Sequence, residues 1–534
     1  MVVLAQLAEH RIVVPSVVGS SPTFHPKGEL RFAFFVVIAC NLQKYPIICK
    51  KNVCIFANVE KKSYLCSAKV CATTDNNHNQ QYIIMIEHLI PAWMLIPFVV
   101  MLLCIAILPL IPHVGEWWEE NIHKLYVSLI LGVPVGIWLC INGMSHELIH
   151  QMIYDYVPFI LLLMALFVTT GGICIRGDLK ATPLTNTIIM AIGWVLASFM
   201  GTTGAAMLLI RLLLETIKQR KYKVHTVLFF IAIVANCGGL LSPLGDPPLF
   251  LLFQKGTPFM WWMQNMLPEW ALTGALLLGV YFLVDLYLYR KEPTANLVAD
   301  VREAKKLTAN GLINIVWLLC VIASTMFLTH ANFAQWFGYV AKDASPEAIE
   351  EAAEHMPFYI KLIREWVFIL IIALSWISTP KKTRTDNSYS WVPILEVACV
   401  FLGIFATMTP ALMFLQQNPL PVDQPWQFVY CTGALSAFLD NAPTAMVFHA
   451  TATTLPVAEG FTAVAGIDPS FMKAISMGAV FFGALTYIGN GPNFMVKSIA
   501  EQSGIDMPSF FGYMIKFSLI VCLPIYVIVQ LLFI

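Results

Sequence analysis

Charge is what this chain has least of. Only 12% of its 534 residues are Asp, Glu, Lys or Arg, while 58% are hydrophobic; an ordinary globular protein carries about 25% charged residues. So few charges cannot coat a water-facing surface over this much chain, which excludes a soluble domain and makes lipid the solvent for most of it. A basic excess is also missing, since Lys+Arg and Asp+Glu stand at 32 each, and with it the electrostatic footprint of a nucleic-acid partner. The 13 cysteines contain no C-x-x-C pair and no metal-type spacing, so they read as free thiols.

Residues 1–84 stand apart. They hold Cys40, Cys49, Cys54, Cys66 and Cys71, nine Lys/Arg against four Asp/Glu, and no apolar run long enough to span a bilayer. The string from Ala5 to Pro26 reads like a translated transfer-RNA gene, with Gly19 to Pro22 as its T-loop codons. The expectation is a misplaced start, with Met85 beginning the protein proper.

From Met85 onward, apolar stretches of membrane-spanning length recur. Spans are predicted near 91–111, 124–141, 157–175, 224–250, 271–288, 311–331, 364–379, 391–416, 474–495 and 510–533. Segments 186–214 and 426–455 are interrupted by Gly201-Thr202-Thr203-Gly204 and by Asp440-Asn441-Ala442-Pro443-Thr444. Both read as re-entrant hairpins, because irregular backbone at that depth needs protein or a wet cavity around it. With the hairpins non-crossing, sixteen Lys/Arg fall on one side, among them Arg176, Lys180, Lys218, Arg220 and Lys305, against five on the other. The first side is expected to be cytoplasmic.

The chain also repeats itself. Gly239, Leu241, Gly245, Pro248 and Phe250 recur as Gly483, Leu485, Gly489, Pro492 and Phe494, with Ser242 over Thr486 and Asp246 over Asn490. Leu196, Phe199, Ala206 and Met207 recur as Leu435, Phe438, Ala445 and Met446. An odd number of crossings separates equivalent points, so the halves are expected to be inverted. The predicted fold is an all-α polytopic membrane protein of two inverted repeats, each with a re-entrant hairpin and a broken transmembrane helix. The first repeat spans 85–290, a cytoplasmic linker spans 291–310, and the second repeat spans 311–534. That is the architecture of secondary transporters, with substrate held where helices break.

Ionisable groups in spans mark function, and Asp246, Asp440 and Glu396 are the carboxylates read as deep. Near Asp246 and Asp440 the pattern gathers Asn236, Ser242, Thr202, Thr203, Asn441, Thr444, Thr486, Asn490 and Asn493. Carboxylate, amide and hydroxyl oxygens suit a small alkali cation rather than an anion. These residues are the candidate cation and substrate site, with Glu396 as a candidate proton-linked group. A buried carboxylate that takes either a proton or Na+ is a minimal antiporter.

The motifs FLDNAPTAM (Phe438 to Met446), ANCGGLLSPLGDPP (Ala235 to Pro248) and YIGNGPNFMVKSIAE (Tyr487 to Glu501) resemble the ion-transporter superfamily, most closely NhaD-type sodium/proton antiporters and the related citrate transporters. The resemblance implies cation handling by Asp440 and Asn441 and by Asn236 and Asp246, and commonly a homodimer. It implies exchange of Na+ or Li+ for H+ by an elevator or rocking motion in a bacterial inner membrane, with no cofactor. Antiporters of this type carry an acidic tip in the first hairpin, where this chain has Gly201 to Gly204. A Na+- or H+-coupled citrate or dicarboxylate symporter is therefore the alternative.

His146-Glu147-Leu148-Ile149-His150 is a literal H-E-x-x-H, the pattern of a helical zinc protease site. It is read here as loop residues between two spans, with no third ligand following, so zinc hydrolysis is only the remote alternative and the chain is not expected to be an enzyme.

Overall fold

The computed structural model describes residues 67–74, 80–87 and 89–534, apart from 112, 342, 343 and 345. The leader proposed from the sequence lies largely outside these. In the unit Met1–Leu89, Ser67–Thr74 (β1) pairs antiparallel with Gln80–Glu87 (β2), Met85 facing Lys69.

The unit Ile90–Ile534 is helical. Leu95–Ile107 (α1) and Asn121–Ile141 (α2) come first, then Ser145–Thr170 (α3), which is continuous helix with a π stretch at Gln151–Tyr156. Pro183–Met200 (α4) and Thr202–Thr216 (α5) form the first interrupted pair. Thr182 caps α4 by accepting from the Thr185 N–H, and Gly201, at φ +81°, supplies the left-handed turn that stops it. The next apolar stretch breaks as well: Val224–Ile233 (α6) passes through a tight turn at Cys237–Leu241 and resumes as Pro247–Gln254 (α7), with prolines in its first turn. Leu267–Tyr289 (α8) closes the first half.

The second half runs through Ile313–Phe327 (α9), Ile363–Ser378 (α10) and Val392–Gln417 (α11). Its interrupted pair is Pro425–Phe438 (α12) and Asn441–Ala452 (α13), and its broken stretch is Pro469–Phe482 (α14) and Gly491–Gln502 (α15). Phe510–Phe533 (α16) ends the chain.

Among the described residues, seven helices are long and apolar enough to cross a membrane, and a bent pair, α9 with His330–Trp336, makes an eighth candidate. Their outer faces are apolar, with Ile141 79% and Ile377 80% exposed, as lipid contact requires. Inside, small residues let helices approach. Ser128 of α2 donates to the Cys399 carbonyl at 2.7 Å, and a Cβ on Gly403 would come within 2.8 Å of the Ser128 Cα.

The unit is helical as expected, with one short addition: Cys174–Asp178 (β3) pairs antiparallel with Lys305–Asn310 (β4) and so ties the predicted linker to the first half. One expectation needs correction, since His146 to His150 lies not in a loop but in the opening turns of α3.

Candidate functional site

Four helices begin at one place. Gly201, Asp246, Asp440 and Asn490 are the N-cap residues of α5, α7, α13 and α15, and side chains from these starts bond to one another. The Asp246 carboxylate is at the centre, 1% exposed. Its Oδ1 accepts from Thr202 Oγ1 at 2.9 Å and from Asn490 Nδ2 at 2.9 Å, and its Oδ2 accepts from Asn441 Nδ2 at 2.5 Å. The Thr202 N–H also donates to the Gly245 carbonyl at 2.8 Å. In the sequence pattern Thr202 falls over Asn441 and Asp246 over Asn490, and all four meet in this cluster.

Beneath it the two broken stretches cross. Asn236 Nδ2 donates to Asn493 Oδ1 at 2.7 Å, and Asn490 Nδ2 reaches the Ala235 carbonyl at 3.2 Å. Asn493 Nδ2 in turn donates to the carbonyls of Gly483 and Thr486 at 2.8 and 2.9 Å. Only glycine fits the first turn, since a Cβ on Gly245 would collide with the Gly239 carbonyl.

Ser242 and Thr486, grouped with the binding residues by sequence, do a different job. Ser242 Oγ donates to the Ser198 carbonyl and Thr486 Oγ1 to the Ala437 carbonyl, each fastening a broken stretch to the interrupted pair beside it. Thr203 is half-buried and, among the described hydrogen bonds, makes none to the cluster. Thr444 donates to the Asp440 carbonyl within its own helix at 2.8 Å. Asp440 is half-buried and caps α13, its Oδ1 accepting from the Ala442 N–H at 3.0 Å. Among the described hydrogen bonds it makes none to Asp246.

Glu396 is not deep. Its side chain is 46% exposed and pairs with Lys124 Nζ at 2.7 Å, at one end of the α2–α11 contact. Other carboxylates are the buried ones. Asp285 accepts from Arg220, His225 and Asn186 at 2.8, 2.9 and 3.1 Å, Glu269 pairs with Lys473 at 2.8 Å, and Asp155 pairs with Lys255 at 2.7 Å. None of these was found by sequence, because each lies near a span end where an apolar run looks already finished. The rings of His146 and His150 lie 6.3 Å apart. Among the described residues no group of three or more His, Cys, Asp or Glu is placed to hold a metal ion.

Electrostatically the centre mixes two demands. Each helix start carries roughly half a positive charge from unsatisfied N–H groups, so four of them converge on a single fully buried carboxylate. Rotating the Asn441 and Asn490 amides and the Thr202 hydroxyl would turn oxygens toward a hard cation on Asp246. With that charge neutralised, the same helix starts favour an anion.

No curated protein matches the chain. The model of a family described as "Putative citrate transport" matches residues 87–534. A match of that extent takes in every element that builds the polar centre, and it places the chain in this citrate-transport family of secondary membrane transporters.

Proposed function

We propose that the protein moves a carboxylate of the citrate class coupled to a small cation, Na+ or H+, held on Asp246. The observation that carries this is the bonding of one carboxylate to α5, α13 and α15 together. Occupancy of Asp246 is thereby linked to how the interrupted pairs sit against the broken stretches, the differential contact that alternating access needs. Order of binding follows from charge. The bare Asp246 carboxylate repels a trianion, whereas Asp246 neutralised by a cation leaves the starts of α5, α7 and α15 for the substrate's carboxylates, that of α13 being capped by Asp440.

The architecture proposed is two inverted repeats with re-entrant pairs α4–α5 and α12–α13. The equivalent fastenings Ser242 to Ser198 and Thr486 to Ala437 support it, since the same bond recurs at matched positions. A second reading, exchange of Na+ for H+, is favoured by one observation. Asp440 directly precedes Asn441, whose amide holds Asp246, and no Lys or Arg donates to the cluster among the described hydrogen bonds.

Purified protein in proteoliposomes separates the two. The expected result is accumulation of labelled citrate driven by a Na+ or proton gradient and lost in Asp246→Asn. A Na+ gradient that moves protons with no carboxylate present, read by a pH-sensitive dye, overturns symport in favour of exchange.

A further inference from the structure

A cavity of about 660 Å³ opens on the basic face of the molecule, between α5, α15, β3 and the loop at 386–388. It lies along the two helices that begin at the polar centre. Arg211 is nine residues beyond Thr202 on α5, so at 1.5 Å per residue its backbone is roughly 13 Å from the Asp246 cluster; Ile499 lines the same cavity from α15. The space is therefore continuous in direction with the helix starts that hold Asp246.

Its charges are unequally partnered. Asp386 is taken by Arg176 at 3.5 Å, Glu215 by Lys218 at 3.9 Å, and Asp178 accepts from Gln219 at 3.3 Å. Arg211 is different. It is half-buried, its Nη1 donates to the neutral hydroxyl of Ser388 at 2.6 Å, and among the described residues no carboxylate pairs with it. Arg176 adds a second guanidinium near enough to repel it. A guanidinium has five donors, and with Ser388 as its one described partner Arg211 keeps a free donor edge on the wall of this cavity.

We infer that Arg211 forms a carboxylate-holding station in the inner vestibule, taking one carboxylate of a di- or tricarboxylate in bidentate fashion as it enters or leaves the central site. Arg176 adds a second positive charge on the cavity wall, tied to Asp386, and Ser388 orients the Arg211 guanidinium. The station rests on the carboxylate-transport reading above and goes beyond it by naming a second site apart from the central Asp246.

Oriented proteoliposomes loaded with labelled citrate test it, KM being measured separately from each face. Arg211→Gln is expected to raise KM at the basic face by about tenfold or more, the cost of one lost charged hydrogen-bonding partner, while KM at the opposite face stays put. Arg211→Lys, which keeps the charge without the fork, should fall between the two. Unchanged KM at the basic face, or equal rises at both faces, overturns the station and leaves the transport reading standing. Citrate transport absent from the wild-type protein overturns both. Should Arg211→Gln fail to fold, Arg211→Lys and Ser388→Ala carry the same comparison, with the same facial asymmetry expected and its absence decisive against the station.

Discussion

At Asp246 the repeat and the chemistry meet in one pair of side chains. Asn490 occupies the equivalent place in the second half and donates to Asp246 directly at 2.9 Å, so either position could in principle carry the charge. Asp246→Asn should abolish cation-coupled transport. Asn490→Asp alone sets two carboxylates within hydrogen-bond distance, where one must hold a proton, and transport should become strongly pH-dependent. The double variant Asp246→Asn/Asn490→Asp moves the charge across the pseudo-symmetry and should recover a measurable fraction of wild-type uptake. A double variant as inactive as Asp246→Asn, though folded and inserted, would show that the two halves of the site are not interchangeable. Much of this cluster was legible in the sequence, because broken backbone announces itself through Gly and Pro, and the repeat identifies which polar residues share a place. What the pattern could not separate was Asp246, Asn441 and Asn490, which meet, from Ser242 and Thr486, which fasten backbone. The five are alike in polarity and in distance from the breaks, and only packing in three dimensions tells them apart.

On the scale of elements, the base of the first interrupted pair is held by an ion network that looks like ordinary loop charge in sequence. Arg220 follows α5 and is buried, donating to Asp285 at 2.8 Å, to Glu292 at 3.1 Å and to the Ala181 carbonyl at 2.9 Å. Glu292 lies beyond the end of α8. Burial tends to raise its carboxyl, but the N–H groups of Tyr222 and Lys221 and the Arg220 guanidinium outweigh that and hold it below the usual glutamate range. A carboxylate depressed in this way contributes stability above its ordinary range and loses that contribution as pH falls through the folded value. The difference in thermal stability between wild type and Glu292→Gln in detergent should therefore be largest at neutral pH and shrink toward acid. A difference independent of pH would mean that Glu292 acts by packing rather than charge. Glu396 is the opposite case. It sits within an apolar run and so reads as deep, yet its partner Lys124 stands at the same end of the neighbouring helix. A hydropathy run gives length along a helix, not depth in a bundle, so it marks Glu396 and misses the buried Asp285.

Across the whole molecule the two faces are unlike. The cavity of about 660 Å³ opens on the basic face, while the crevice lined by Leu251 and Lys255 of α7 and Met446 of α13 leaves no room for a water molecule. Lys255 of α7 lines the shut space and Ile499 of α15 the open one, each on a helix that starts at the polar centre. What holds the shut side is the far end of α7. Lys255 Nζ pairs with Asp155 Oδ2 at 2.7 Å, and Gln254 Nε2 donates to the carbonyls of Tyr154 and Asp155 at 3.2 and 3.1 Å, all against the π stretch of α3. Asp155 is buried and Lys255 partly exposed, so removing one partner costs on the order of 1–3 kcal/mol, less than for a fully buried pair. That cost falls on the closed arrangement alone, since opening lets water reach both groups. Asp155→Asn should therefore shift the population toward the state open on this face. A cysteine introduced by Met446→Cys reports on it, and a membrane-impermeant maleimide applied from the less basic side should label it severalfold faster in the Asp155→Asn background than with Asp155 intact. Equal labelling rates in the two backgrounds would mean that the pair stabilises the helix end without governing access to the centre.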